Sequence, residues 1–290
     1  MAGKTALMRL SVGLMVVAAV GILKAAPAVA GTFSFSTGNP DGLMGTASRP
    51  SSPGLIEIES ADDFILNSAT GINSATFTGL IPSGATISNV DVEIYRVFPK
   101  DSTVPPDGRV PTRTNSPSDV AFDERSTGAG NMTFTTKIIN SSFMAANSVL
   151  NGINPIPNQN TKGEGPITGE EVQFNADFTT PFDLPPDHYF FVPQVETSAG
   201  NFFWLSAPKP IVPPGTFFAP DLQEWIRNAN LEPDWLRVGT DIVGGSPAPQ
   251  FNATFSLSGV TIPEPSTTLL LTPSVLGLAV LRWVTRRPKR

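Results

Sequence analysis

The chain has no cysteine and a single histidine among its 290 residues. Without thiols there can be no disulfide, no thiolate zinc site, no iron–sulfur cluster and no cysteine nucleophile. One histidine rules out a metal site built on several. No internal repeat is present. There is no Gly-x-Ser-x-Gly nucleophile elbow and no Asp-x-Asp-x-Asp-Gly calcium loop. Helical periodicity is scarce as well. What the chain does have lies at its two ends and in a β-patterned middle.

At the N-terminus, Lys4 and Arg9 precede an apolar run from Leu10 to Leu23, and Lys24 closes it. That run is about 14 residues, short of the roughly 20 that span a bilayer. Ala28-Val29-Ala30 puts small residues where signal peptidase reads, which predicts export and cleavage after Ala30. An uncleaved anchor is the alternative. At the other end stand Pro263-Glu264-Pro265, an apolar run from Thr267 to Leu281, and Arg282, Arg286, Arg287, Lys289 and Arg290. The basic end favours the cytoplasmic side, which directs everything before it outward. Pro273 interrupts the run and removes a backbone donor.

This tail resembles the PEP-CTERM sorting signal of bacterial surface proteins, whose three parts occur here in order. The resemblance implies a C-terminal transmembrane helix at the inner membrane and processing near Pro263–Pro265 by a membrane-embedded exosortase. An ordinary C-terminal anchor would give the same topology. Three phrases of the middle are also similar to uncharacterised secreted members of that group: Val92–Ser102, Val110–Phe122 and Asp234–Gly239. That likeness implies no activity. The expected organisation is a signal helix in 1–30, a body in 31–262 and a sorting tail in 263–290.

Charge is unevenly shared. Three basic residues fall in 1–30, and five basic and one acidic in 263–290, which leaves 11 basic against 24 acidic in the body. The body's net charge is therefore −13. Such a surface repels nucleic-acid phosphates and suits a hydrated exported domain. It also admits divalent cations.

Period-two alternation runs through Val90, Val92 and Ile94, through Met132 to Ile138, through Val172 to Phe178, and through Phe251 to Leu257. This is the pattern of strands with one buried and one wet face. Leu55–Ile58, Asp63–Leu66, Ser74–Thr78, His188–Val195 and Phe202–Ser206 read as further strands. Phe33 and Phe35 fit an edge strand, while 43–54 reads as loop and 260–263 as a linker. Proline totals 29, about twice an average share. Pro105-Pro106-Asp107-Gly108 and Pro155-Ile156-Pro157-Asn158 mark turns. One helix is predicted, from Asp221 to Ala229, with Glu224 completing a capping box and Leu222, Trp225 and Ile226 on one face. The expected fold is all-β, an antiparallel jelly-roll-like sandwich.

Candidate chemistry is thin. His188 could be a general base but lacks a partnered nucleophile, so a structural role is the plainer reading. Glu57, Glu59, Asp62 and Asp63 cluster in seven residues, and Asp119, Asp123 and Glu124 form a second group. Asp62, Asp63, Asp119 and Asp123 are candidate calcium ligands, with a solvated charged face as the alternative. Two carboxylates could also hydrolyse a glycosidic bond. Trp225 and Trp235 are candidates for stacking on sugar rings, against the commoner fate of core burial. Arg96, Arg109, Arg113 and Arg125 are expected to ion-pair with acids on the strand faces, each pair contributing about 0–1 kcal/mol if exposed. The reading is an exported, non-catalytic envelope or matrix protein that contacts exopolysaccharide and needs no cofactor. A carbohydrate-active hydrolase is the alternative.

Overall fold

Alternation of this kind closes hydrogen bonds between neighbours and leaves two faces to cover. The computed structural model describes residues 30–98, 110–154, 156, 159–211 and 220–263. Its strands are β1 (Thr32–Ser36), β2 (Met44–Ala47), β3 (Ile58–Leu66), β4 (Thr70–Ile81) and β5 (Ile87–Arg96). Then follow β6 (Asp123–Ser126), β7 (Met132–Ala145), β8 (Asn147–Val149), β9 (Ile167–Leu184) and β10 (Asp187–Thr197). The last are β11 (Phe203–Ala207), β12 (Trp225–Asn228), β13 (Leu236–Arg237), β14 (Asn252–Ala253) and β15 (Phe255–Thr261). Gly31–Ile262 packs as one unit.

Two sheets form an all-β, sandwich-like body. The first has nine strands: the path β1-β15-β4-β11-β2-β8, with β9 and β7 beyond the other edge of β4 and β14 on β11. The second has six, in the order β13-β12-β3-β10-β5-β6. Every named pair is antiparallel except β2 with β8. Near its end β4 exchanges β15 for β11 as its partner, at Gly79 and Leu80. Glycine is required there, since a Cβ on Gly79 would lie 2.1 Å from the Phe202 ring.

The core lies between the sheets and is aromatic. Phe77 stacks on Phe174 at 4.8 Å and Phe191 on Phe255 at 5.1 Å. Val90, Val92, Ile94, Phe174, Phe178 and Phe255 turn inward as their spacing predicts, and Phe134 packs partly buried against them. Phe251 joins a neighbouring cluster with Met44, Leu205 and Ile226. The long β7 is less regular. Its pairing with β9 shifts register after Ile138 and again after Asn140, and Ile138 is exposed.

Four expectations fail. Leu55–Ile58 is not a strand, since β3 begins only at Ile58, and 260–263 is not wholly a linker, since β15 runs to Thr261. The segment 221–229 is not a helix: Trp225–Asn228 is β12, hydrogen-bonded to β3 and β13. The helical piece among the described residues is instead a π-helical turn at Val238–Val243. Trp225 and Ile226 point to opposite faces of the second sheet, and both are buried because both faces are covered. The stretch 43–54 is not wholly loop, since Met44–Ala47 is a fully buried strand. No helix among the described residues is long and apolar enough to cross a membrane. Ala28, Glu264, Pro265, Arg286 and Arg287, with the signal helix and the C-terminal apolar run, lie outside the described residues, as do Pro105–Gly108 and Arg109.

Candidate functional site

The outer face of the six-stranded sheet gathers most of the unusual chemistry. Alternation along β3 sends Ile58, Ser60, Asp62 and Phe64 toward the first sheet and Glu59, Ala61 and Asp63 outward. Register then sets partners: Trp225 sits opposite Ala61 and Arg227 opposite Glu59. On β5, Glu93 and Tyr95 share this face. Loops around 111–121, 220–224 and 229–235 close over it, so it is not wet. Ala61, Tyr95, Phe190, Val192, Leu222, Trp225 and Trp235 form a third apolar cluster there.

Inside that layer sits a charged knot. Arg227 is 3% exposed and ion-pairs with Glu59, itself 1% exposed. The Tyr95 hydroxyl lies 2.7 Å from Glu59 Oε1 and 3.0 Å from Glu93 Oε2, and Arg227 Nη2 donates to it at 2.9 Å. The guanidinium also lies 4.3 Å from the centre of the Trp235 ring. Burial, together with the neighbouring Glu59, pushes the Glu93 carboxyl up to about 8. Glu93 is thus mostly protonated at neutral pH and can donate into the knot, while Arg227 balances Glu59 and also lies 3.5 Å from Glu232. Burial and the same two acids push the Tyr95 phenol up as well. Burial alone would lower Arg227, yet Glu59, Tyr95 and Glu232 together outweigh it and the guanidinium rises.

The predicted calcium ligands are scattered and already engaged. Asp62 faces the interior, 1% exposed, and takes the Ala253 amide at 2.9 Å. Burial, with Asp63 nearby, holds its carboxyl well above the usual range. Asp63 points the other way, pairs with His188 Nε2 at 2.5 Å and accepts the Leu222 amide at 3.1 Å. Burial raises Asp63 against the pull of His188. Neither is part of a solvated face. Asp119 pairs with buried Arg113, and Asp123 with buried Arg125 at 2.6 Å. The oxygens that do converge belong to Glu57, Glu59 and Glu232, within 4.8 Å of one another. Glu232 lies far from the others in sequence, so spacing could not reveal the group.

The arginines are also deeper than expected. Arg113 is 6% exposed, ion-paired with Asp234 at 2.9 Å and laid over Phe98 at 4.6 Å. Arg125 donates to the Thr180 and Pro181 carbonyls at 2.6 Å each. Arg96 keeps the exposed type of pair, 3.5 Å from Asp187.

Neither tryptophan offers a face to a sugar. Trp225 and Trp235 are each 2% exposed, and Trp235 Nε1 donates to the Ser118 carbonyl at 3.2 Å. The stacking expectation is corrected on that ground: the loop layer covers both rings. Trp225 nonetheless lines a cleft of about 430 Å3, a size within the range of small-ligand sites. Thr112, Thr114 and Asn115 form one wall, Gln223 and Gln250 another. Asp221 and Arg237 complete the polar lining. The Trp225 indole N–H is buried and has no hydrogen-bond acceptor. The Thr112–Asn115 wall is held by Arg113 beneath it and by Asn115 in the left-handed region at φ 59°, a conformation that asparagine tolerates. Behind the cleft, Gly239 packs so close that a Cβ would lie 2.1 Å from the Pro249 carbonyl.

No protein-family model, curated protein or solved structure matches this chain.

Proposed function

We propose that this is an exported envelope or extracellular-matrix protein, processed by signal peptidase and an exosortase, whose jelly-roll-like body binds exopolysaccharide without catalysis. The observation that carries the binding part is the cleft around Trp225. It is concave and lined by amide and hydroxyl groups and by Trp225, whose buried N–H lacks an acceptor among the described residues. Polyhydroxylated ligands supply the matching donors and acceptors. The two ends of the sequence carry the sorting part. A glycan-binding screen on the purified protein, run with and without calcium, tests the reading. Binding that weakens in Gln250→Ala supports it, and failure to bind any polysaccharide sinks it.

The hydrolase reading is second. Glu59 and Glu93 are hydrogen-bonded carboxyls, which is the observation in its favour. Glu59 is sealed under Arg227 and Trp235, however, where a glycosidic oxygen could not approach it. Reproducible release of reducing ends, lost in Glu93→Gln, would reverse this ranking.

A further inference from the structure

We propose that the Trp225 cleft selects uncharged saccharide units and rejects uronate, sulfated or phosphorylated ones. This rests on the reading of the protein as a polysaccharide-binding module and narrows its ligand.

The first argument is the charge already spent. Among the described residues, Arg237 is the one cation lining the cleft. Both its Nε and Nη2 are tied to Asp241, at 2.9 and 2.7 Å, and Asp241 also takes the Arg237 backbone amide at 2.8 Å. An anionic sugar would meet a guanidinium already neutralised on its Nε–Nη2 edge, with Nη1 alone left to donate. Asp221 faces the same space. It pairs with Lys209 at 3.4 Å, and Lys209 donates onward to the Asp221 and Leu222 carbonyls. The Asp221 Oδ1 atom is the one that faces Lys209, and it is buried. With Lys209 bound to Asp221 and to two carbonyls, neither member of the pair is left to hold a carboxylate. The body's net charge of −13 adds repulsion at longer range.

The second argument is the chemistry left free. Gln250 and Asn115 are exposed and make no side-chain hydrogen bond among the described residues. Gln223 uses only Oε1, to accept from the Thr240 hydroxyl at 2.9 Å, so its two amide hydrogens remain. Carboxamides pair with vicinal hydroxyls as donor and acceptor at once. The Trp225 N–H is buried without an acceptor among the described residues, and a ligand hydroxyl or ring oxygen that reached it would supply one. A site of unpaired amides discriminates by hydroxyl pattern, because a ligand lacking a hydroxyl leaves one of them unsatisfied. Recognition is thus edge-on hydrogen bonding, with no ring face to stack upon.

The test is calorimetric titration of the full-length protein, in a detergent without a sugar headgroup. The probes are neutral gluco-, galacto- and manno-oligosaccharides and, separately, oligogalacturonate and oligoglucuronate. A neutral probe is expected to bind, and about tenfold more weakly in both Trp225→Phe, which keeps the ring and deletes the N–H, and Gln250→Ala, which sits on the surface. Uronate probes are expected not to bind even at low salt. If uronates bind and Gln250→Ala abolishes it, selection for neutral units is overturned while polysaccharide binding stands. If saccharides bind with unchanged affinity in both variants, the cleft is the wrong site. If none binds, the polysaccharide reading falls and takes this inference with it.

Discussion

The two faces of the six-stranded sheet are made by the same strands and behave as different materials. The inner face, with Phe64, Val92, Ile94, Tyr189 and Phe191, meets the other sheet through rings and branched chains. The outer face, with Glu59, Asp63, Glu93, Tyr95 and Arg227, is just as hidden but polar. The inner face is stabilised by area removed from water, without direction. The outer face holds only because each charge has a named partner, since an unpaired charge in such a place is costly. A strand can therefore alternate apolar and polar and yet have no wet side.

That contrast can be broken from either side. The largest effect is expected at Phe191, fully buried at the inner face. Phe191→Ala should cost about 3–5 kcal/mol in urea unfolding. A loss under about 1 kcal/mol would mean that the sheets are not packed as described. The outer face should respond nearly as strongly but for a different reason. Arg227→Met strands Glu59 as a buried charge and should cost about 3 kcal/mol, whereas Arg227→Met combined with Glu59→Leu should recover most of it. Additive losses in that cycle would show that the knot is ordinary packing.

The third effect is pH dependence. Burial pushes Glu224, which donates no charge to any described cation and accepts from the Thr46 hydroxyl, up to about 8 from its usual 4.5. Glu93 is raised to the same level. Both native groups keep protons that the unfolded chain has released. Stability should therefore be full below about pH 4.5, fall as pH rises toward about 8, and level off above. Glu224→Gln should flatten part of that slope in a Tm-versus-pH series, and an unchanged slope would contradict the assignment. The smallest effect belongs to the surface. Arg96→Ala removes a pair whose members are 43% and 44% exposed and should change stability by about 0–1 kcal/mol, read from the same melts.

The inner face was readable in advance because period-two spacing with one apolar register leaves little choice. Val90, Val92 and Ile94 needed nothing else, nor did Phe174 on the facing sheet. The failures share a cause. Leu222, Trp225 and Ile226 fall at helical spacing, but a strand covered on both faces also buries adjacent residues, so the pattern was ambiguous. Gly45, Thr46 and Ala47 are small and weakly patterned, and packing alone makes them strand. Asp62 and Asp63, adjacent in sequence, looked like one cluster and are separated by the sheet itself. Trp225 was visible as a candidate, though for its face and not its N–H. Gln223, Gln250 and Thr112 gave no signal, since three distant segments of chain meet only in the folded molecule.

The most direct test is a crystal structure of the protein grown with a neutral oligosaccharide. The account predicts sugar density in the cleft between Trp225 and Gln250, with a hydroxyl or ring oxygen within hydrogen-bond reach of the indole nitrogen and the Arg237–Asp241 pair intact. Sugar seated elsewhere on the body while the cleft holds only solvent would contradict it.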